Sequence, residues 1–311
     1  MIHDVVIVGS GPAGYTAATY AARAQLKPIV LAGSVTAGGA LMNTTEVENY
    51  PGFVEGIMGP ELMTRMQEQA ERFGADVHFE DVTGLELEGD VKRITTDDAV
   101  YDARTVIIST GSEYRHLGLD VEDRLSGHGV SYCATCDGFF FKDQPIVVVG
   151  GGDSAMEEAT FLSRFGSSVT IVHRRDELRA SAVMAKRAQD DPKIDFAWNS
   201  KVVAINGADA VESVTLEDTV TGERRDLPAS GLFVAIGQVP RSELVKDVLE
   251  LDDKGYIKVE APSQRTRIPG VFACGDVADP EYQQAITAAG SGCRAALDAE
   301  HYLADLNVTD A

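Results

Sequence analysis

An unbroken apolar run, Val5-Val6-Ile7-Val8, stops at the glycine-rich stretch Gly9-Ser10-Gly11-Pro12-Ala13-Gly14, and a helical pattern of small residues follows over Tyr15 to Arg23. A second apolar run spans Pro28 to Leu31. The same order returns at Ile146-Val147-Val148-Val149, Gly150-Gly151-Gly152-Asp153-Ser154-Ala155, the helix around Met156 to Arg164, and Val169 to Val172. Fully apolar runs of this kind predict strands buried on both faces. A strand, glycine turn, helix and strand occurring twice predicts two nucleotide sites. The glycines let backbone approach a pyrophosphate, and the helix N-terminus offers unpaired N–H groups and partial positive charge.

Beyond the second copy the pattern shortens to Lys201 to Asn206, Val211 to Glu217 and Glu223 to Leu227, with Thr221-Gly222 supplying a hairpin turn. These segments predict a crossover sheet. Gly231 to Gly237, Gly270 to Asp276 and a long helix from about Gln283 to Leu303 then read as strand, strand and helix returning to the first domain. The fold class expected is α/β, with two Rossmann-like three-layer (ββα) nucleotide-binding domains, the first discontinuous. Residues 1–115 and 244–311 form the first, and 116–243 form the second.

Length and composition agree with this picture and narrow the partners. The 311 residues, 44% hydrophobic, are enough to bury two cores. No apolar stretch reaches the length of a membrane span. The first apolar run begins four residues from Met1, leaving no room for a secretory signal, so a cytoplasmic location is expected. With 27 Lys and Arg against 49 Asp and Glu, the net charge of −22 repels nucleic acid and anionic membrane surfaces. The same excess reads as solubility before it reads as salt adaptation.

Four cysteines are too few for a secreted disulfide scaffold. Cys274 and Cys293 stand among small or apolar residues and read as packing. Cys133-Ala134-Thr135-Cys136 lies between the two nucleotide patterns. A structural zinc needs four ligands, and no second C-x-x-C or histidine cluster supplies them, so a redox pair is the better reading. A C-x-x-C near a helix N-terminus favours the thiolate that attacks disulfides. Adjacent Asp137 reads either as a proton shuttle or as a first-turn helix acid.

The two turns differ in the residues that leave their second strand. After Pro28 to Leu31 comes Ala32-Gly33, without the carboxylate that grips a ribose, whereas Gly38-Gly39 and Asn49-Tyr50-Pro51-Gly52 offer turn backbone for a large cofactor. FAD is expected there. Val169 to Val172 leads into His173-Arg174-Arg175 and then Arg179, a basic cluster that suits the 2′-phosphate of NADPH.

Gly9 to Gly14, Thr45 to Gly52, Cys133 to Gly138, Gly150 to Ala155, His173 to Arg175, and Gly275-Asp276 through Gln284-Ala285-Ile286 stand in one order that resembles the low-molecular-weight bacterial thioredoxin reductases, in particular their actinobacterial branch. The resemblance covers nearly the whole chain. It implies a homodimeric flavoprotein with FAD in each subunit, NADPH as reductant and thioredoxin as partner. It implies that Cys136 faces the flavin, Cys133 attacks the partner disulfide and Asp137 is the acid and base, with domain rotation presenting the pair to each in turn.

Carried over position by position, the resemblance assigns FAD to Ser10, Gly11, Pro12, Ala13, Ala32, Gly33, Gly38, Gly39, Ala40, Asn49, Val82, Asp276, Gln283, Gln284, Ala285 and Ile286. It assigns NADPH to Gly152, Asp153, Ser154, His173, Arg174, Arg175, Arg179, Ile236 and Tyr256. Gln283 stands where the family usually has Arg, and Gln238 where His is common, so cofactor grip is expected to change there. A flavin dithiol oxidase and a non-catalytic redox sensor are the rival readings. The basic cluster argues against the first, and the paired nucleotide turns argue against the second.

Overall fold

The computed structural model describes residues 1–35, 37–44 and 46–309; Thr36 and Thr45 therefore lie outside the described residues. The chain divides into two compact units, 1–113 with 239–311, and 114–238.

In the first unit, strands Asp76–His78, Ile29–Leu31, Ile2–Val8, Val100–Ile108, Lys92–Thr96 and Val82–Glu86 lie in that order, and Val271–Ala273 also pairs with Val100–Ile108. Val100–Ile108 does two jobs along its length. Its first half alternates exposed and buried residues and pairs antiparallel with Lys92–Thr96. Its second half, Thr105 to Ile108, is continuously buried and runs parallel to Ile2–Val8 and Val271–Ala273. The polar and apolar pattern is what those two sheet types require.

Helix Pro12–Arg23 covers the parallel part with Ala13, Ala17, Ala18, Ala21 and Ala22, and packs on Ala288, Ala295, Ala296 and Ala299 of helix Ala285–Thr309. Small residues set the close approach. A Cβ on Gly292 would stand 2.1 Å from the Ala13 carbonyl oxygen.

The second unit is built on five parallel strands in the order Val130–Ser131, Gly231–Val234, Pro145–Val149, Ser168–Val172 and Ile194–Ala197. Alternate residues of the central strand feed separate cores. Ile146 and Val148 pack with Ala155, Met156, Ala159 and Leu162 of helix Asp153–Leu162, while Val147 and Val149 pack with Val202, Ile205, Val214 and Leu216. The latter come from strands Ser200–Asn206 and Ser213–Asp218, which with Arg224–Pro228 form an antiparallel sheet whose second turn uses Gly222 at φ 76°. Parallel sheet, helices on one face and a small sheet on the other give the three layers expected.

Three expectations change. Gly231–Val234 lies in the second unit, inside the 116–243 bounds, and does not return to the first with Val271–Ala273 as its place in the strand, strand and helix pattern suggested. Its Leu232, Phe233 and Val234 are buried on both faces in the second unit's sheet, a place that suits an uninterrupted apolar run. Both nucleotide helices start earlier than their apolar pattern, at Pro12 and Asp153, because Gly11 and Gly152 are the N-caps and the end of each glycine motif is itself the first helical turn. The last helix starts at Ala285, since Gln283 has φ 50° and cannot continue a helix.

Candidate active site

Strand Val130–Ser131 delivers Cys133 to the N-cap of helix Ala134–Asp137. Cys133 and Cys136 are joined in a disulfide with their Cα atoms 5.3 Å apart. The Cys133 carbonyl accepts hydrogen bonds from the Cys136 and Asp137 N–H groups at 3.2 and 3.1 Å, so the C-x-x-C spacing closes a single turn. The Cys133 Sγ lies 3.3 Å from the Thr135 hydroxyl.

Asp137 ends that turn with its carboxyl folded back on the pair's own backbone. Its Oδ2 accepts from the Ser131 hydroxyl at 2.6 Å, and the Ser131 Oγ in turn accepts the Cys133 N–H at 3.2 Å. Its Oδ1 is buried without a hydrogen-bond partner among the described residues. Burial pushes the carboxyl pKa up, opposed by the Ser131 hydrogen bond. A helix-capping acid would hold backbone N–H groups; this one holds a hydroxyl and keeps an oxygen free. The arrangement suits a group that stores and returns a proton.

At the first glycine turn, packing explains two glycines and leaves a third free. A Cβ on Gly9 would lie 2.3 Å from the Ser109 carbonyl oxygen, and one on Gly14 would lie 2.2 Å from that of Gly9. A Cβ on Gly11 would meet nothing within 4 Å, so open space lies in front of the helix N-terminus. Ser10 ties the turn to the next loop: its hydroxyl donates to the Ala32 carbonyl at 2.7 Å and accepts the Gly38 N–H at 2.9 Å. Gly33, Gly38 and Gly39 have φ of 85°, 102° and 69°, a path that non-glycine residues rarely follow. Ala40 lies in the short helix Gly39–Asn43, and Val82 begins the strand to which Asp81 leads. The Asp81 carboxylate accepts both the N–H and the hydroxyl of Ser34, holding the loop from a neighbouring strand.

The same unit gathers further candidate residues. The Asn49 amide donates to Gln284 at 3.3 Å. Asp276, in the turn after Val271–Ala273, is pushed up to about 6 by burial and by Asp279, with only Ser112 at 3.5 Å counteracting. Gln283 donates to the Tyr256 hydroxyl at 2.7 Å, which gives the residue standing in place of the family's Arg a defined partner. It also puts Tyr256 in the first unit beside an expected FAD residue. Ala285 opens the long helix and Ile286 is exposed on it.

The second turn is built differently. His173 is buried against it, and a Cβ on Gly151 would come within 2.1 Å of the His173 Nδ1. The His173 Nε2 donates to the Glu177 carbonyl at 2.9 Å, and burial lowers its pKa, so a neutral imidazole props the turn. The Gly151 carbonyl accepts the Arg179 and Ala180 N–H groups at 2.7 and 3.1 Å, wrapping the basic loop around the turn. The side chains of Arg174, Arg175 and Arg179 are exposed, and none is in an ion pair among the described residues. Gly152 faces open space, Ser154 is exposed, and Asp153 accepts the Ser181 N–H at 2.6 Å. Ile236 follows strand Gly231–Val234 and packs on its core. Gln238 begins strand Gln238–Pro240.

Sequence reasoning passed over Ser131, Ser109, Asp81 and Glu158. Ser131 was findable, two residues before Cys133 at the end of an apolar strand. Glu158 carried no signal in its neighbourhood. Its Oε2 is buried without a hydrogen-bond partner among the described residues, and burial, with Glu157 adding, pushes its pKa up to about 8.

Residues 3–292 match the family model described as pyridine nucleotide-disulphide oxidoreductase. The chain is 64% identical over 306 residues to a thioredoxin reductase of Streptomyces clavuligerus, covering 98% of this chain and 95% of that one. It is 61% identical to a thioredoxin reductase of Mycolicibacterium smegmatis, covering 98% and 97%. The chain belongs to this family, among its thioredoxin reductases. The crystal structure of thioredoxin reductase from Streptococcus pyogenes superposes with a TM-score of 0.91 at 45% identity, covering 98% of this chain and 99% of that one. No helix among the described residues is long and apolar enough to cross a membrane.

Proposed function

We propose that the chain is an NADPH-dependent thioredoxin reductase, a cytoplasmic homodimer in which residues 1–115 with 244–311 hold FAD and 116–243 hold NADPH and the redox pair. The observation that carries this reading is a disulfide at Cys133–Cys136 with Asp137, one of whose oxygens has no hydrogen-bond partner among the described residues, folded against it in the same unit as a turn followed by three exposed arginines. The residues fit both cofactors. Open space at Gly11 admits a pyrophosphate to helix Pro12–Arg23, and the buried Asp276 carboxyl offers hydrogen bonds to a polyhydroxyl chain. Open space at Gly152 and the free guanidinium groups suit a nucleotide carrying a 2′-phosphate.

When bound, FAD supplies the two-electron relay between NADPH and the disulfide. Reduction breaks the Cys133–Cys136 bond and leaves a dithiol. Asp137 takes the proton of Cys133, whose thiolate attacks the thioredoxin disulfide, forming a mixed disulfide and expelling one thioredoxin thiolate, to which Asp137 returns that proton. Cys136 gives up its proton, attacks the Cys133 sulfur of the mixed disulfide, expels the second thioredoxin thiolate, which takes up that proton, and restores the pair. Raised basicity is what lets Asp137 hold the Cys133 proton until the leaving sulfur needs it.

The test mixes protein, NADPH, FAD and oxidised thioredoxin and follows NADPH consumption. Turnover is expected; none with any thioredoxin would overturn the reading. Cys133→Ser is expected to keep NADPH-driven flavin bleaching and lose thioredoxin reduction. Asp137→Asn is expected to slow thioredoxin reduction by about 100-fold or more.

A further inference from the structure

The only tryptophan of the chain, Trp198, comes just after strand Ile194–Ala197. Val172 pairs in parallel with Ala197, so His173 and Trp198 leave their strands side by side at the C-terminal edge of the sheet. Three backbone hydrogen bonds lock the two exits together: His173 N–H to Ala197, Ser200 N–H to His173, and Asn199 N–H to Arg175, at 3.0, 2.9 and 3.1 Å. The indole lies nearly parallel to Phe196, 5° and 4.8 Å away, and edge-on to His173 at 82° and 6.4 Å. It is half-buried, backed by one aromatic ring and steered by another.

In a βαβ nucleotide site the pyrophosphate takes the turn after the first strand, and the end of the second strand meets the ribose. The adenine then falls outward, toward the end of the third strand. Here the first strand ends at Gly150, the second at the His173-Arg174-Arg175 cluster and the third at Trp198. His173 is occupied as a prop under Gly151, so it has no free face for a base. A rigid aromatic plane at the next position is what a purine ring uses.

We propose that Trp198 is the wall against which the adenine of NADPH rests, a recognition element beside Arg174, Arg175 and Arg179. The proposal rests on the reading of this turn as the NADPH site. Because Trp198 is the sole tryptophan, its emission reports the contact directly in the FAD-loaded enzyme. NADP⁺ and adenosine 2′,5′-bisphosphate are expected to change that emission, and nicotinamide mononucleotide is expected to leave it unchanged. Trp198→Ala is expected to weaken both adenine ligands about tenfold, the equivalent of ~1.4 kcal/mol of stacking, and Trp198→Phe to recover most of it. Unchanged emission on saturation with NADP⁺ overturns the proposal, even if the Ala variant does not fold. So does an equal loss of affinity for nicotinamide mononucleotide, which marks general loosening. Failure of the wild-type enzyme to bind NADP⁺ at all, with turnover on NADH instead, sinks the NADPH reading and this inference with it.

Discussion

The turns Gly9 to Gly14 and Gly150 to Ala155 open similar helices from similar strands, yet they are held from opposite sides. Ser10 reaches out of the first turn and ties it to Ala32 and Gly38, so the loop beyond the second strand is drawn in by hydrogen bonds, and the charge beside it is the Asp81 carboxylate on Ser34 rather than a basic cluster. At the second turn the outward reach is that of Asp153, whose carboxylate accepts the Ser181 N–H beyond the arginines. His173 presses in from the neighbouring strand, and the Gly151 carbonyl receives the N–H groups of the loop that carries the arginines. Their helices differ too: Ala17, fully buried in the first, corresponds to Glu158 in the second. One scaffold thus becomes two differently held turns through the residues leaving its second strand and one helix position.

The largest effect should come from the charge difference. Replacing Arg174 and Arg175 together with Ala removes charged hydrogen-bond donors worth roughly 1.5–3 kcal/mol each, so NADPH affinity should fall about 100-fold or more while NADH affinity stays within about twofold. Isothermal titration with both nucleotides reads this, and equal losses would remove the 2′-phosphate from the comparison.

Next is the packing difference. Gly151→Ala drives a methyl group into His173 and should cost about 1–3 kcal/mol in urea unfolding, whereas Gly11→Ala, with nothing within 4 Å, should fold normally and weaken FAD binding instead. Equal destabilisation by the two variants would mean the turns are propped alike.

Smallest is the helix difference. Protonated Glu158 keeps its buried Oε2 without a charge, so wild-type stability should fall as pH rises from the ordinary carboxylate range through about 8. Glu158→Gln has no proton to lose. It should match the wild type in acid and exceed it by about 1–3 kcal/mol at pH 8, measured by urea unfolding at both pH values. Parallel pH slopes for the two proteins would show Glu158 to be solvated.

Most of the fold was legible because its signals are local. Val5 to Val8 and Ile146 to Val149 announce buried parallel strands by composition alone, and glycine before a helix needs no long-range knowledge. The mistakes fell where neighbours in space decide. Gly231–Val234 reads like the strand Val271–Ala273, and only burial on both faces between Pro145–Val149 and Val130–Ser131 assigns it to the second unit. The site divides the same way. Cys133 and Cys136 declare themselves by spacing, but Ser131 under Asp137, Asp81 behind Ser34 and Tyr256 against Gln283 depend on chain returns that no motif encodes.

By itself, then, the sequence determined the family, the order of the two nucleotide turns and the residues of the redox pair, because each depends on side chains close along the chain. The tertiary structure decided which groups are taken up by packing and which stay free. His173, read as part of the basic cluster, is buried against Gly151; Asp137 looked equally like a cap and keeps an oxygen without a partner among the described residues; Glu158, which carried no signal, is half-buried with its Oε2 shut away from solvent. Burial and partner choice are set by whatever the fold brings alongside, and those are what fix a group's charge and its availability for chemistry.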